Sequence, residues 1–264
     1  MTHFYSAYNE YQHQHEIKGV VFDLDGTLYT PSDALNECQV ESAIVAAQNQ
    51  LPQFEKDEIR NMVMVSREQY RGSLNIFVVE HGAKMPNLRK DQFAEMIKNT
   101  SNGFFGVDAI LKNRLDELHQ NVGMVIGTHG SHAWTEHVLS ELDISEFFPT
   151  AQHITKGDVD NIGKNVGPQM CDACLDVLGA PETEGPSRRG EGYAVVEDTM
   201  ENLKSFKERG MMTIFIRRES SHLLDDDIAD YVDVVVKEGD LAIEAILDSN
   251  MQHSGVHPEL SADF

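Results

Sequence analysis

An apolar run, Val20-Val21-Phe22, leads straight into Asp23-Leu24-Asp25-Gly26-Thr27, and this junction constrains the chain more than any other feature. Such a run reads as a strand buried on both faces, as strands of parallel sheets are. Open α/β sheets gather ligands beyond the carboxyl ends of their strands. Two carboxylates at i and i+2 share one face of an extended chain. Like charges so close are costly unless a cation or a proton lies between them. A turn after the glycine gives no structural reason for the pair. A magnesium-assisted site, with one Asp as nucleophile and the other as acid or base, does.

The rest of the chain supplies the partners such a strand needs. Residues 17–24 form the first strand. From 31 to about 102 the pattern is helical without a convincing strand, with candidate helices at 34–50, within 55–80 and at 90–98. Strand and helix then alternate, the mark of a parallel βαβ sheet. Helices are expected at 107–119, 131–142 (capped by Ser131), 167–178, 200–209 and 240–247. Strands are expected at 122–126, near 150–154, and at 193–196, 212–216 and 231–236. The expectation is an α/β core formed by 17–30 and 103–250, interrupted by a helical module at 31–102. A flexible tail (1–16) and a polar tail (251–264) flank it.

Three of these strands end in chemically loaded residues. The first ends in Asp23 and Asp25, another in Thr128-His129-Gly130, and a third in Glu197-Asp198-Thr199. Neighbouring parallel strands bring such ends together on one edge of the sheet. Asp23, Glu197 and Asp198 would then offer the hard oxygen ligands that Mg²⁺ prefers. Thr128 offers a hydroxyl, and the turn through His129 and Gly130 offers backbone N–H groups at a helix N-terminus, which suits a phosphate. A lysine would balance the charge beside the nucleophile. Lys164, ahead of a helix, is the best placed, and Lys156 competes with it.

Charge narrows the partners. A formal net charge of −23 disfavours nucleic acid and anionic membranes, both of which need clustered Lys and Arg. An anionic substrate remains admissible, because a bound Mg²⁺ reverses the sign of the local field. No apolar stretch approaches the ~18 residues needed to span a bilayer, and the start has no signal-like apolar region, so a cytoplasmic location is expected. Cys171 and Cys174 fall within an amphipathic helical pattern and read as small buried helix residues, with Cys38 the only other cysteine. His3, His13 and His15 belong to the N-terminal tail.

The ordered set of strand-end residues resembles the haloacid dehalogenase-like (HAD) hydrolase superfamily. Its first motif, DxDxT, is complete in Asp23-Leu24-Asp25-Gly26-Thr27, Thr128 matches the second, Lys164 the third and Glu197-Asp198 the fourth. The resemblance implies a Rossmann-like parallel-sheet core with an inserted all-helical cap. It also implies that Asp23 attacks phosphorus, that Asp25 serves as acid and then base, and that Mg²⁺ is the cofactor. The metal would be held by Asp23, Glu197, Asp198 and the main-chain carbonyl of Asp25. Thr128, His129 and Lys164 would bind the phosphate of a small phosphorylated metabolite. Leu28-Tyr29, together with Tyr70-Arg71-Gly72 and Val79-Glu80-His81-Gly82 in the helical part, resembles the pyrimidine 5′-nucleotidase-like branch and implies a nucleoside 5′-monophosphate. Three departures stand out: Thr-His-Gly replaces the usual Thr-Asn-Gly, no proline follows Lys164, and the fourth motif is Glu-Asp where Asp-Asp is frequent. The alternatives are a phosphomutase of the same fold and a non-catalytic phosphate- or metal-binding regulator. Arg60, Arg67, Tyr70, Arg71 and Lys84 are candidate specificity residues.

Overall fold

The computed structural model describes residues 15–70, 72–100, 104–182, 185, 188–218 and 223–254. Most of the expected N-terminal tail, Arg71 and the last ten residues lie outside them. Two compact units divide the chain: one comprises the stretch up to Tyr29, Asp108–His129 and the chain from Ile144, the other Thr30–Val107 and Gly130–Asp143.

In chain order the elements are β1 (Gly19–Phe22), α1 (Asp33–Gln50), α2 (Lys56–Gln69), α3 (Asn75–Val79), α4 (Met85–Thr100), α5 (Ala109–His119), β2 (Gly123–Thr128) and α6 (His132–Glu141). They continue with β3 (His153–Thr155), α7 (Gln169–Val177), β4 (Tyr193–Glu197), α8 (Met200–Lys207), β5 (Met212–Ile216), β6 (Val234–Val236) and α9 (Gly239–Ser254). No described helix is long and apolar enough to cross a membrane.

All six strands pair in parallel in the order β3-β2-β1-β4-β5-β6, a doubly wound arrangement whose direction reverses beside β1. The core strands β1, β4 and β5 are buried along their whole length, as their largely apolar sequences require. Helices α7 and α8 cover one face, packing with Val21, Val125, Val195 and Phe215. Helix α9 packs on α5, touches β4 to β6 and lies outside that cluster, on the other face. Phe22 sits opposite Ile126 and opposite Val196, so the next residues along β1, β2 and β4 emerge on one edge. Cys171 and Cys174 are both buried in α7, where burial pushes the Cys174 thiol up to about 12.

The second unit is helical and, among its described residues, contains no strand. Its core joins Val40, Ala43 and Ile44 of α1 to Ile59 and Val63 of α2, Phe77 of α3 and Leu88 of α4. Ser32 starts α1 by accepting the Leu35 N–H, as an N-cap should. Helix α6, which follows β2 in sequence and is capped by Ser131 as expected, packs on α4 and groups with this unit.

Several boundaries differ from the sequence expectation for physical reasons. Helix α4 begins at Met85, not 90, because Pro86 falls in the first turn, where its missing N–H costs nothing. Residues 55–80 split into α2 and α3 because the Ser66 hydroxyl donates to Gly72 O and accepts the Ile76 N–H, closing a turn between them. Helix α9 runs on to Ser254, not 247, and its polar end is held by Asn250. That amide accepts the Ile17 N–H at 2.7 Å and donates to Ile17 O at 2.8 Å, as a neighbouring strand would. Strands β3 and β6 are shorter than expected and shifted, as edge strands with one partner each.

Candidate active site

Three strand ends meet at the reversal point of the sheet. Asp23 follows β1, Glu197 closes β4 with Asp198 next to it, and Thr128 closes β2. One carboxylate oxygen from each of Asp23, Glu197 and Asp198 lies within 4.8 Å of the others. Asp23 and Glu197 are buried, as is Thr128. The carboxyls expected to converge therefore do so, over 175 positions of chain.

The lysine that joins them is Lys164. Its Nζ donates to Asp23 Oδ1 at 2.5 Å and to Glu197 Oε2 at 2.7 Å, and the residue is only 1% exposed. Lys156, the competing candidate, opens a short 3-10 turn after β3. Glu197 is fixed from its other oxygen, which accepts the Thr199 N–H at 3.1 Å. Thr27, the last residue of the first motif, donates its hydroxyl to Asp23 Oδ2 at 3.4 Å.

The Lys164 ammonium and the more distant Arg218 guanidinium, its Nε 4.0 Å from Asp198 Oδ2, thus serve a cluster of three carboxylates, and the charge does not balance. Burial pushes the Asp23 carboxyl up to about 7, and the Glu197 charge pushes in the same direction. Burial and the Asp23 charge raise Asp198 to about 6. Glu197 is raised as well, mainly by burial. Burial pulls Lys164 down, but Asp23 and Glu197 together outweigh it and hold the ammonium above its ordinary value. The cation is over-satisfied and the acids under-satisfied. A hard divalent ion would supply the missing charge, and the all-oxygen donor set of Asp23, Glu197 and Asp198 fits Mg²⁺.

Gly26 lets the site close. Its φ of +89° lies in the left-handed region, and a Cβ there would stand 1.9 Å from Asp198 Oδ2. Gly26→Ala is expected to displace the Asp198 carboxylate, weakening Mg²⁺ binding at least about tenfold and costing about 1–3 kcal/mol of stability. Calorimetric titration and thermal melts check this. A variant that binds Mg²⁺ as the parent does would refute the close approach.

Asp25 stands apart from the three-acid cluster. Its Oδ1 accepts a 2.5 Å hydrogen bond from the Tyr29 hydroxyl, and a bridge between the two residues closes the loop that follows β1. Arg218, two residues beyond β5, donates to Tyr29 O at 2.9 Å and has its Nε 4.0 Å from Asp198 Oδ2. The sequence reading passed over Arg218. Its position just past a parallel strand was the available signal. His129 presents its ring differently from the expected phosphate contact: Nε2 accepts the Lys164 N–H at 3.0 Å. In the helical unit, Arg60 is bonded to Glu37 and Glu41, and Tyr70 donates to Glu80, so these two are engaged locally.

Comparison with known proteins gives the family and the fold. The family model for haloacid dehalogenase-like hydrolases matches residues 17–210. Among solved structures, the chain is similar to an HAD phosphatase from Thermococcus onnurineus, with a TM-score of 0.56 and 18% identity over 88% of this chain and 99% of that one. It is also similar to CbbY from Rhodobacter sphaeroides in complex with phosphate, at 0.58 and 15% over 85% and 95%. A putative beta-phosphoglucomutase from Thermotoga maritima gives 0.54 and 17% over 88% and 99%. At these identities the likeness is one of fold. No curated protein matches.

Proposed function

The chain belongs to the haloacid dehalogenase-like hydrolases, and on that premise we propose that it is a Mg²⁺-dependent phosphomonoester hydrolase acting on a small phosphorylated metabolite. The observation that carries this reading is the buried Lys164 ammonium shared by Asp23 and Glu197 beside Asp198 at the strand ends.

In this reading an Asp23 carboxylate oxygen attacks phosphorus, forming the acyl-phosphate bond as the ester P–O bond breaks. Asp25 gives its proton to the departing oxygen. A water then returns a proton to the Asp25 carboxylate and attacks the phosphorus, releasing inorganic phosphate and restoring Asp23. The Thr128 hydroxyl and the backbone N–H of His129, at the end of β2, hold the phosphoryl oxygens. Lys164 favours the ionised form of Asp23, orients it, and offsets charge as phosphorus becomes five-coordinate. Tyr29 orients the Asp25 carboxyl. Asp23, Glu197 and Asp198 would hold Mg²⁺, with the Asp25 carbonyl beside them; the ion would neutralise phosphoryl and carboxylate charge.

The test is phosphate release across a panel led by nucleoside 5′-monophosphates, the substrates implied by the Leu28-Tyr29 resemblance, with sugar phosphates and p-nitrophenyl phosphate beside them. We expect release with Mg²⁺ and its loss with chelator. Transfer between sugar hydroxyls faster than release would instead make the chain a phosphomutase. Phosphate binding with no turnover of any ester would make it a regulator.

A further inference from the structure

Lys164 carries the site, yet no helix or strand holds its backbone. It lies in the turns between β3 and α7, a few residues past Asp160 and Asn161, both of which have left-handed φ. The family's usual proline does not follow it. Its peptide is nevertheless gripped at both ends by side chains from distant parts of the chain. The N–H donates to His129 Nε2 at 3.0 Å, and the C=O accepts from the buried Ser205 hydroxyl at 2.7 Å. His129 follows the last residue of β2, and Ser205 lies in α8, the helix that leaves the Glu197-Asp198 corner. The two strand ends that present Thr128 and the acidic pair therefore also carry the handles that hold the lysine.

We propose that His129 and Ser205 are positioning residues that lock the Lys164 main chain and so aim its ammonium between Asp23 and Glu197. A lysine side chain has four rotatable bonds and no rigid geometry of its own. Its aim is only as good as the anchoring of its Cα, and misplacement by ~1 Å can cost about 10²-fold in rate. Accepting an N–H makes Nε2 the unprotonated ring nitrogen, so His129 acts as a neutral acceptor with its proton on Nδ1. The Thr-His-Gly departure from the usual motif then has a purpose. A histidine acceptor reaches further than an asparagine one, across to a loop that lacks the stiffening proline. The task assigned to Lys164 rests on the phosphatase reading; its anchoring does not.

Four variants test the proposal: His129→Gln, whose amide oxygen reaches about as far as Nε2 and accepts; His129→Met, of similar length without an acceptor of that strength; Ser205→Ala; and Ser205→Thr, which keeps the hydroxyl. Two measurements are read on each. Trace acylation followed by mass spectrometry reports how accessible the Lys164 amine is. It should rise at least about tenfold in His129→Met and Ser205→Ala, and stay near the parent value in His129→Gln and Ser205→Thr. Hydrolysis of p-nitrophenyl phosphate should fall roughly 10- to 100-fold in kcat for the first two, with little change in KM. Equal acylation and kcat in His129→Met and the parent, or equal losses in His129→Gln and His129→Met, would overturn the proposal. If the parent hydrolyses no ester, the phosphatase reading fails, and the acylation contrast alone decides whether the lysine is held this way. Should His129→Met not fold, the Ser205 pair decides.

Discussion

Asp23→Asn is expected to abolish turnover, by at least about 10⁴-fold, while making the metal-free protein more stable at alkaline pH. The first half follows from chemistry: an amide oxygen does not form the phosphoryl bond that a carboxylate forms. The second half follows from charge. The Asp23 carboxyl titrates at about 7 in the fold against an ordinary 3.8, so the folded state holds a proton that the unfolded chain has lost. Stability therefore falls as pH rises from about 4 through 7, because the unfolded state binds fewer protons across that window. Asn has no charge to bury there, and its Oδ1 can still accept from the Lys164 ammonium. The variant should melt close to the parent at pH 4–5 and several degrees above it at pH 8 in chelator. Adding Mg²⁺ should reverse the order, because the parent gains binding energy that the variant largely lacks. Melts in EDTA and in Mg²⁺ at the two pH values, run beside a phosphate-release assay, read all three effects. Turnover above a hundredth of the parent rate would remove Asp23 as nucleophile. A variant less stable than the parent at pH 8 in EDTA would refute the account of an under-neutralised cluster.

Much of this site was legible in the sequence, and the reason is topological. Parallel strands that leave the sheet in the same direction end on one edge, so Asp23, Thr128 and Glu197 had to come close once β1, β2 and β4 were recognised as strands. Periodicity identified those three because their runs are apolar on both faces. It also found β3 and β6 but misjudged their bounds, because an edge strand has one partner and its ends are set by that neighbour. The choice between Lys164 and Lys156 was beyond pattern reading, since both lie in irregular chain whose path depends on the His129 and Ser205 bonds. Those bonds join residues 35 and 41 positions apart, and no local signal announces them. The same holds for the end of α9: Ser249 is buried and Asn250 is tied to Ile17, although the expected helix stops at 247. Propensity described the surface chemistry of these stretches correctly and missed what they touch.

Lys164→Met should cost both catalysis and folding, and it separates this site from an ordinary buried ion pair. Removing one member of a buried pair strands the other charge, at about 3–5 kcal/mol. Here two partners are stranded, Asp23 and Glu197, with Asp198 beside them. The ammonium is held above its ordinary value, so its contribution is complete throughout pH 5–9 and fades only as pH climbs beyond 10.5. The carboxylates decide how the penalty varies. Without Lys164 they rise further, so at pH 5 they take up protons and the variant is nearly tolerated. At pH 8 they stay charged at full cost in the fold. The stability gap between parent and variant should therefore widen with pH, the sense opposite to that expected for Asp23→Asn. Mg²⁺ should recover a good part of the lost stability by supplying positive charge, but not the lost rate. A loss of about 10³-fold in kcat should persist at saturating metal, because the ion cannot occupy the position of the ammonium. Lys164→Arg is not expected to rescue it: the planar guanidinium is larger than the ammonium, and the 1% exposed position leaves it no room. Urea unfolding at pH 5 and 8, with and without Mg²⁺, alongside kcat measured on the best ester of the panel, gives the comparison. A pH-independent stability gap would mean that the lysine packs the core without neutralising it. Restoration of kcat by Mg²⁺ alone would remove Lys164 from the chemistry and leave the metal to do its work.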